Sequence, residues 1–301
     1  MSYHSSYLHL LKTGELRERR KKAYEKLSCC DLCAHVCRSD RTHGCTGICR
    51  VDDTVQISGY GPHFGEEDVL VGKYGSGTIF LTGCNLKCVF CQNWDISHLH
   101  QGETISIEDF AGIMMELQET GCHNINLVTP TPYLPQILAA LEIAATRGLY
   151  LPLVYNCGGY ESRTALQLLD GLVDIYMPDV KFSDNEKGSQ LSGAKNYFSV
   201  VKAAVKEMHS QVGDLQINES GIAYRGLIVR HLVLPGNLAG TAEIFDFLAK
   251  EISPDTYINI MDQYYPAFHA KDFPPLDRKL QGREYESAVE AASAAGLYRF
   301  A

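Results

Sequence analysis

From residue 78 onward, hydrophobic positions along this chain alternate between two periods. Short apolar runs rich in β-branched and aromatic residues occur at "TIFLTG", "INLVTP", "LPLVYN", "VDIYMPDV", "GLIVRHLVLPG" and "TYINIMDQYYP". They lack the in–out alternation of a half-buried strand, so each predicts a strand covered on both faces. Between and after them the period lengthens to that of a helix. Phe110, Ile113, Met114 and Leu117 recur at i, i+3, i+4, i+7, as do Leu134, Ile137, Leu138 and Leu141. Further helices are expected near 162–171, 195–212, 240–252 and 284–296. Gly121 and Gly148 follow two of the helices and Pro235-Gly236 follows a strand, where stop signals belong.

Six strands separated by helices predict a parallel sheet with right-handed crossovers. Six βα units make a partial (β/α)6 barrel rather than the closed eight-unit form. In either arrangement ligands bind at the C-terminal ends of the strands. The expected fold is therefore α/β, with a partial barrel over residues 76–301 and a small cysteine-rich extension over 1–75. In the extension, "ELRERRKKAYEKL" predicts a charged helix. Glu15, Glu18 and Glu25 interleave its basic residues, which marks a solvated face rather than an RNA patch. "CCDLCAHVCRSDRTHGCTGICRVDD" is loop-rich and poor in apolar residues. Such a segment rarely folds on burial alone, which suggests a metal clip.

Composition narrows the function. The chain has 301 residues, 45% of them hydrophobic, enough for one large core plus an appendage. A net charge of −9 argues against nucleic acid as a partner. The start lacks the apolar core of a signal peptide, and no apolar stretch is long enough to span a bilayer. A cytoplasmic protein without a membrane partner is expected. Eleven cysteines in a reducing compartment point to metal or redox work rather than disulfides. Five lie between Cys30 and Cys49 and three between Cys84 and Cys91; Cys29, Cys122 and Cys157 fit no regular spacing.

"GCNLKCVFCQNW" sets Cys84, Cys88 and Cys91 in a C-x3-C-x2-C pattern directly after the first of the six strands. An iron–sulfur cube ordinarily takes four thiolates. Three leave one iron open to a substrate or cofactor, much as an open position separates catalytic from structural zinc. The alternative is zinc with His98 or His100 as fourth ligand. Upstream, Cys30, Cys33, Cys37 and Cys49 give C-x2-C-x3-C-x11-C, with Cys45 competing for the last place. Four thiolates suit structural zinc or an auxiliary iron–sulfur cluster. The first would staple the N-terminal arm and the second would relay electrons. Cys122 and Cys157 read as small buried hydrophobes. Tyr155, Tyr160, Tyr264 and Tyr265 read as mouth lining or core, and Gly158-Gly159 as a turn where backbone approaches a ligand.

The three-cysteine motif, with Gly83 before it and Phe90 within it, resembles that of the radical S-adenosylmethionine superfamily over about residues 76–300. The closer resemblance is to pyruvate formate-lyase activating enzymes and their activating-enzyme-like branch. It is carried by "GSGTIFLTGCNLKCVFCQNW", "YNCGGY", "DIYMPDVK", "VRHLVLPG" and "NIMDQYYPAF", with "CDLCAHVC" upstream. The resemblance implies a [4Fe-4S] cluster on Cys84, Cys88 and Cys91 whose open iron is chelated by S-adenosylmethionine. It implies reductive cleavage of that cofactor to a 5′-deoxyadenosyl radical, and hydrogen-atom abstraction from a substrate. By position it sets Phe90 beside the adenine and Asp179 and Lys181 beside the nucleoside, with Asn156 and Arg230 facing the same pocket. The activating enzymes' Gly-Gly-Glu after the second strand is missing. "VTPTPY" stands there, so Thr129 and Thr131, or their carbonyls, would replace it. The implied partners are a polypeptide substrate, first of all a glycyl position of a partner enzyme, and an electron donor such as flavodoxin or ferredoxin. Radical modification of another peptide or a small molecule is the nearest alternative. A metal-binding or electron-carrying protein without catalysis is the other, against which the intact loop and the polar strand ends weigh.

Overall fold

In the computed structural model, which describes residues 4–301, the six apolar runs form six parallel strands. In chain order the strands are β1 (Val55–His63), β2 (Ser76–Leu81), β3 (Glu103–Ile105), β4 (Ile125–Val128) and β5 (Leu153–Cys157). They continue with β6 (Ile175–Pro178), β7 (Gln216–Ile217), β8 (Ala223–Leu232), β9 (Tyr257–Met261) and β10 (Arg299–Phe300). The sheet runs β10-β9-β8-β6-β5-β4-β2-β1-β3, with β7 beside β8. From β2 to β10 the pairs along this path are parallel, and β1 and β3 add antiparallel strands at one end. Among the described residues no ladder joins the two ends, so the barrel is not closed by hydrogen bonds. Every residue of β5 and β6 is buried, as continuous apolar runs require.

The expected helices form at Ile107–Glu119, Leu134–Thr146, Arg163–Leu169, Tyr197–Val212, Thr241–Phe247 and Gly282–Ala295. Two local features escaped the hydrophobic period. The Asn185–Ser192 helix has one buried apolar side chain, Leu191, and is set by its ends. The Asp184 carboxylate accepts from the Glu186 and Lys187 amides, and Gly193 closes the helix in a left-handed turn. Strand β1, "VQISGYGPH", carries two glycines and a proline that read as breakers. It pairs with β2 up to His63 but with β3 only over Val55–Ile57. Pro62 therefore lies where one edge of the strand is free, the position a residue without an amide proton can take.

The chain between β1 and β2 enters the barrel. Leu70 is fully buried in a cluster with Val154, Ile175, Met177 and Ile228 of strands β5, β6 and β8. Its carbonyl accepts from Asn124 Nδ2 at 2.9 Å, and Glu67 Oε1 accepts from Asn259 Nδ2 of β9 at 2.9 Å. This plug fills the lower barrel and leaves the upper end to the polar strand termini. The N-terminal helices Tyr7–Thr13 and Glu15–Glu25 lie outside the sheet. Leu16 and Ala23 turn onto the core, Arg17, Lys21 and Lys22 face solvent, and Arg20 pairs with Glu142 at 2.9 Å. The charged segment is thus a helix with a solvated face, as its sequence predicts. Among the described residues no helix is long and apolar enough to cross a membrane.

Because Leu70 is the apolar centre of the plug, Leu70→Ala is expected to destabilise the fold by about 2–5 kcal/mol, the usual cost of such a cavity. Urea unfolding measures this. A loss below about 1 kcal/mol would show that the plug contributes little.

Candidate active site

Three elements bring the cysteine loop to the upper rim. The loop leaves β2, and Gly83 starts it at a φ of 68°. A Cβ there would stand 2.7 Å from Val51 and 2.9 Å from the Cys49 carbonyl, so only glycine lets the loop lie against the N-terminal extension. The Asn85 side chain then donates to the Tyr160 carbonyl at 2.9 Å, and the Lys87 and Val89 amides donate to Ser192 and Leu191. Cys84 Sγ accepts the Leu86 amide at 3.3 Å, and Cys91 Sγ lies 3.1 Å from Ser97 Oγ.

Cys84, Cys88 and Cys91 line one cavity of about 480 Å³, together with Phe90, Thr129, Asn156, Asp179, Lys181 and Arg230. Eight of the expected cofactor-site residues other than Thr131 thus join Cys91 in a single space. Thr131 lies elsewhere: it is buried against the N-terminal cysteines and donates to Glu161 Oε1 at 2.7 Å. Thr129 is held at a φ of 61°, unusual for a β-branched residue, while its amide donates to the Asn156 carbonyl. Of the rim tyrosines, Tyr155, Tyr160 and Tyr264 are core and only Tyr265 is exposed. The Gly158-Gly159 turn makes room for Leu86 packing, since a Cβ on Gly158 would fall 2.6 Å from Leu86 Cδ1. His98 and His100 are not among the cavity's lining residues; His98 Nδ1 is 2.9 Å from Ser97 Oγ, and its ring packs on Phe268.

A buried charge network anchors the opposite wall. Arg230 Nε donates to Asp179 Oδ1 at 2.8 Å, Lys181 Nζ to Asp179 Oδ2 at 2.5 Å, and Arg230 Nη2 to Asn156 Oδ1 at 2.9 Å. A short parallel bridge holds Asp179 and Arg230 side by side as β6 and β8 end. Burial pushes the Asp179 carboxyl upward, but Arg230 and Lys181 outweigh it and hold the group at about 2. Burial pulls Lys181 and Arg230 down, and Asp179 reverses this and keeps both charged. The sequence did not point to Glu66, which reaches the cavity from the plug. Its Oε2 lies 3.4 Å from Arg230 Nη1, and burial raises its pKa against the pull of Arg230. Glu66 sits in "HFGEEDVL", outside every motif, so only the path of the plug reveals it.

The thiols have the opposite need. Burial raises Cys84 to about 11, with the Leu86 amide opposing, and raises Cys88 further. Buried sulfurs ionise when a cation supplies the missing charge. A cube of four irons fits this donor set: it brings positive charge, takes three thiolates, and has room in the cavity for a further ligand on the fourth iron. Among the described residues no three His, Cys, Asp or Glu side chains are pre-arranged around a single metal ion.

A loop of three cysteines at the rim of an open parallel barrel is the construction of a radical SAM protein, and comparison with known families agrees. Residues 78–222 match the Radical SAM superfamily, so the chain carries a radical SAM domain over that stretch. An uncharacterised protein of Methanocaldococcus jannaschii, MJ0674, is 36% identical over 273 residues, covering 87% of this chain and 74% of that one. Among solved structures, SuiB of Streptococcus suis bound to its precursor peptide SuiA overlaps 72% of this chain at a TM-score of 0.47 and 13% identity. This chain spans 46% of SuiB. TYW1 with a lysine–pyruvate adduct bound overlaps 72% of this chain and 73% of its own at a TM-score of 0.43 and 11% identity.

The network makes unequal demands on its two cations. Removing the Arg230 charge strips Asp179, Asn156 and Glu66 of one partner together, whereas removing the Lys181 charge leaves Asp179 paired. Arg230→Met is expected to cost about 3–5 kcal/mol, the scale of a broken buried pair, and Lys181→Met less. Denaturant titration of both variants checks the order, and equal losses would contradict it.

Proposed function

We propose that this chain is a radical SAM enzyme that cleaves S-adenosylmethionine reductively and removes a hydrogen atom from a polypeptide. The observation that carries the enzymatic reading is the single cavity that joins the three-cysteine loop to Asn156, Asp179, Lys181 and Arg230. Cys84, Cys88 and Cys91 would hold a [4Fe-4S] cluster. When bound and reduced, that cluster supplies the electron for cofactor cleavage and so the means of hydrogen abstraction.

The chain's own residues bind and orient. Phe90, wedged against Phe182 and Tyr264, offers an aromatic edge to the adenine. Asn156 and Asp179 offer polar groups to ribose hydroxyls, and Lys181 and Arg230 offer cations to the cofactor carboxylate. The ammonium group lacks its usual carboxylate, because Gly-Gly-Glu is missing after β4. Besides Asp179, which Arg230 and Lys181 hold, Glu66 is the acid among the cavity's lining residues, and we assign it that contact alongside Thr129. Water exclusion comes from below, where the plug closes the barrel.

Two features support a polypeptide substrate. The cavity opens to solvent past Asn93 and Gln263, both exposed, rather than closing into a chamber. Next in sequence to Asn93 is exposed Trp94, stacked on Phe268 at 5.7 Å, and two residues beyond Gln263 is exposed Tyr265, aromatic surface of the kind that holds peptide side chains. A glycyl position of a partner enzyme is the first candidate, on the likeness of the strand-end motifs to activating enzymes. The electron would come from a small redox protein such as flavodoxin or ferredoxin, in a reducing cytoplasm. The proposal includes a second metal site, zinc or iron–sulfur, at Cys30, Cys33, Cys37 and Cys49.

Reduced, anaerobically reconstituted enzyme is expected to form 5′-deoxyadenosine and to carry label into it from a partner protein deuterated at glycine. Label arriving only from a deuterated small metabolite would replace the polypeptide reading with the small-molecule one. Asp179→Ala is expected to weaken S-adenosylmethionine binding by roughly 1–3 kcal/mol, the cost of unpaired buried groups, with iron content unchanged. Calorimetric titration giving wild-type affinity would remove Asp179 from the cofactor site.

A further inference from the structure

The four N-terminal cysteines form a site whose character the structure narrows. Cys30, Cys33, Cys37 and Cys49 line one cleft, and Cys45 is exposed outside it, so Cys49 is the residue that stands beside the other three. The cleft measures about 10 Å³. That is room for about one water-sized sphere, as a single ion needs. The same fold leaves about 480 Å³ at the three-cysteine loop.

A second, independent feature marks the cleft as a home for negative charge. Arg41 also lines it and is 1% exposed. Its Nε and Nη2 donate to the Asp52 carbonyl at 3.1 and 2.5 Å, and its Nη1 lies 3.9 Å from Cys30 Sγ. Among the described residues it makes no ion pair with a carboxylate. A buried guanidinium with only carbonyl and sulfur partners is costly unless anionic charge sits beside it. Four thiolates around one divalent ion carry two excess negative charges, and Arg41 faces them.

We infer that Cys30, Cys33, Cys37 and Cys49 bind a single tetrahedral ion of the zinc type, with Arg41 as its buried counter-charge, and that this centre clamps the cluster loop. The inference rests on the second metal site and chooses between its two forms. Ligation asks the four sulfurs to turn inward, since they share the cleft without converging on one point. The clamp runs through His35, which lies between Cys33 and Cys37. Its Nε2 is 2.7 Å from the carbonyl of Asn85, the residue after Cys84, and its ring meets Tyr160 at 5.0 Å. Asn85 completes the tie by donating to the Tyr160 carbonyl. An ion that fixes Cys33 and Cys37 therefore fixes the backbone carrying Cys84.

The test compares metal in the anaerobically purified full chain and in its Cys84→Ala/Cys88→Ala/Cys91→Ala variant. The variant is expected to lose its iron and keep about one zinc, the stoichiometry of a single site. Iron retained in place of zinc would overturn the single-ion assignment while leaving a second metal site standing, and a folded variant free of metal would overturn both. Zinc X-ray absorption on the wild type serves if the variant does not fold. Four sulfurs at about 2.3 Å are expected, and mixed oxygen or nitrogen ligation would overturn the assignment. Arg41→Met is expected to lose zinc to a chelator several-fold faster, and Arg41→Lys to restore retention; equal retention in all three would remove Arg41 as counter-charge. His35→Ala is expected to keep its zinc and shed iron from the cluster loop faster, and unchanged iron retention would overturn the clamp.

Discussion

A buried thiol stays protonated unless positive charge stands beside it, and this constraint organises the upper half of the molecule. Cys84 and Cys88 are shifted upward by burial, so neither is an ordinary ligand waiting in water. The wall across the cavity is itself a balance of charges in which Asp179 holds Arg230 and Lys181. On the function proposed above, a cluster would supply the charge the thiols lack, and the cofactor's charged groups would face Arg230, Lys181 and Glu66 on the far side. The barrel supplies what such a site needs: rigid strand ends on which side chains from β5, β6 and β8 converge, with the lower interior stopped by Leu70 and Glu67.

Much of this was legible in the residues. The six apolar runs became six parallel strands because a strand buried on both faces leaves a signal that polar flanks cannot blur. Asn156 and Asp179 could be set on one rim because each lies at the end of such a run, and Arg230 because it is the charged break in another. What escaped was whatever depends on a path rather than a pattern. Strand β1 hides behind Gly59, Gly61 and Pro62, which its free edge tolerates. Glu66 reaches the cavity only because the plug turns inward. Thr131 follows Thr129 by two residues, but the chain enters a turn there, and its hydroxyl is carried off to Glu161. Arg41 lies in a loop-rich segment where nothing in the sequence singles it out; its burial is a tertiary fact.

The two cysteine sets are neighbours rather than separate modules. Asn85 lines the cleft of the N-terminal set, while Cys84 and Leu86 on either side of it line the large cavity. A change at either site is therefore felt by the backbone of the other. This adjacency explains how a loop-rich segment with little apolar content keeps its place: it shares a core with the barrel and is tied to the loop it supports.

The central claim is that the three thiols present an iron–sulfur cluster with one iron open to S-adenosylmethionine. Electron paramagnetic resonance of the reduced protein, recorded before and after the cofactor is added, addresses it most directly. A cubane signal whose g values shift on addition, and which is lost in Cys88→Ala, is the result this account requires. A signal that ignores the cofactor, or persists without Cys88, would contradict it.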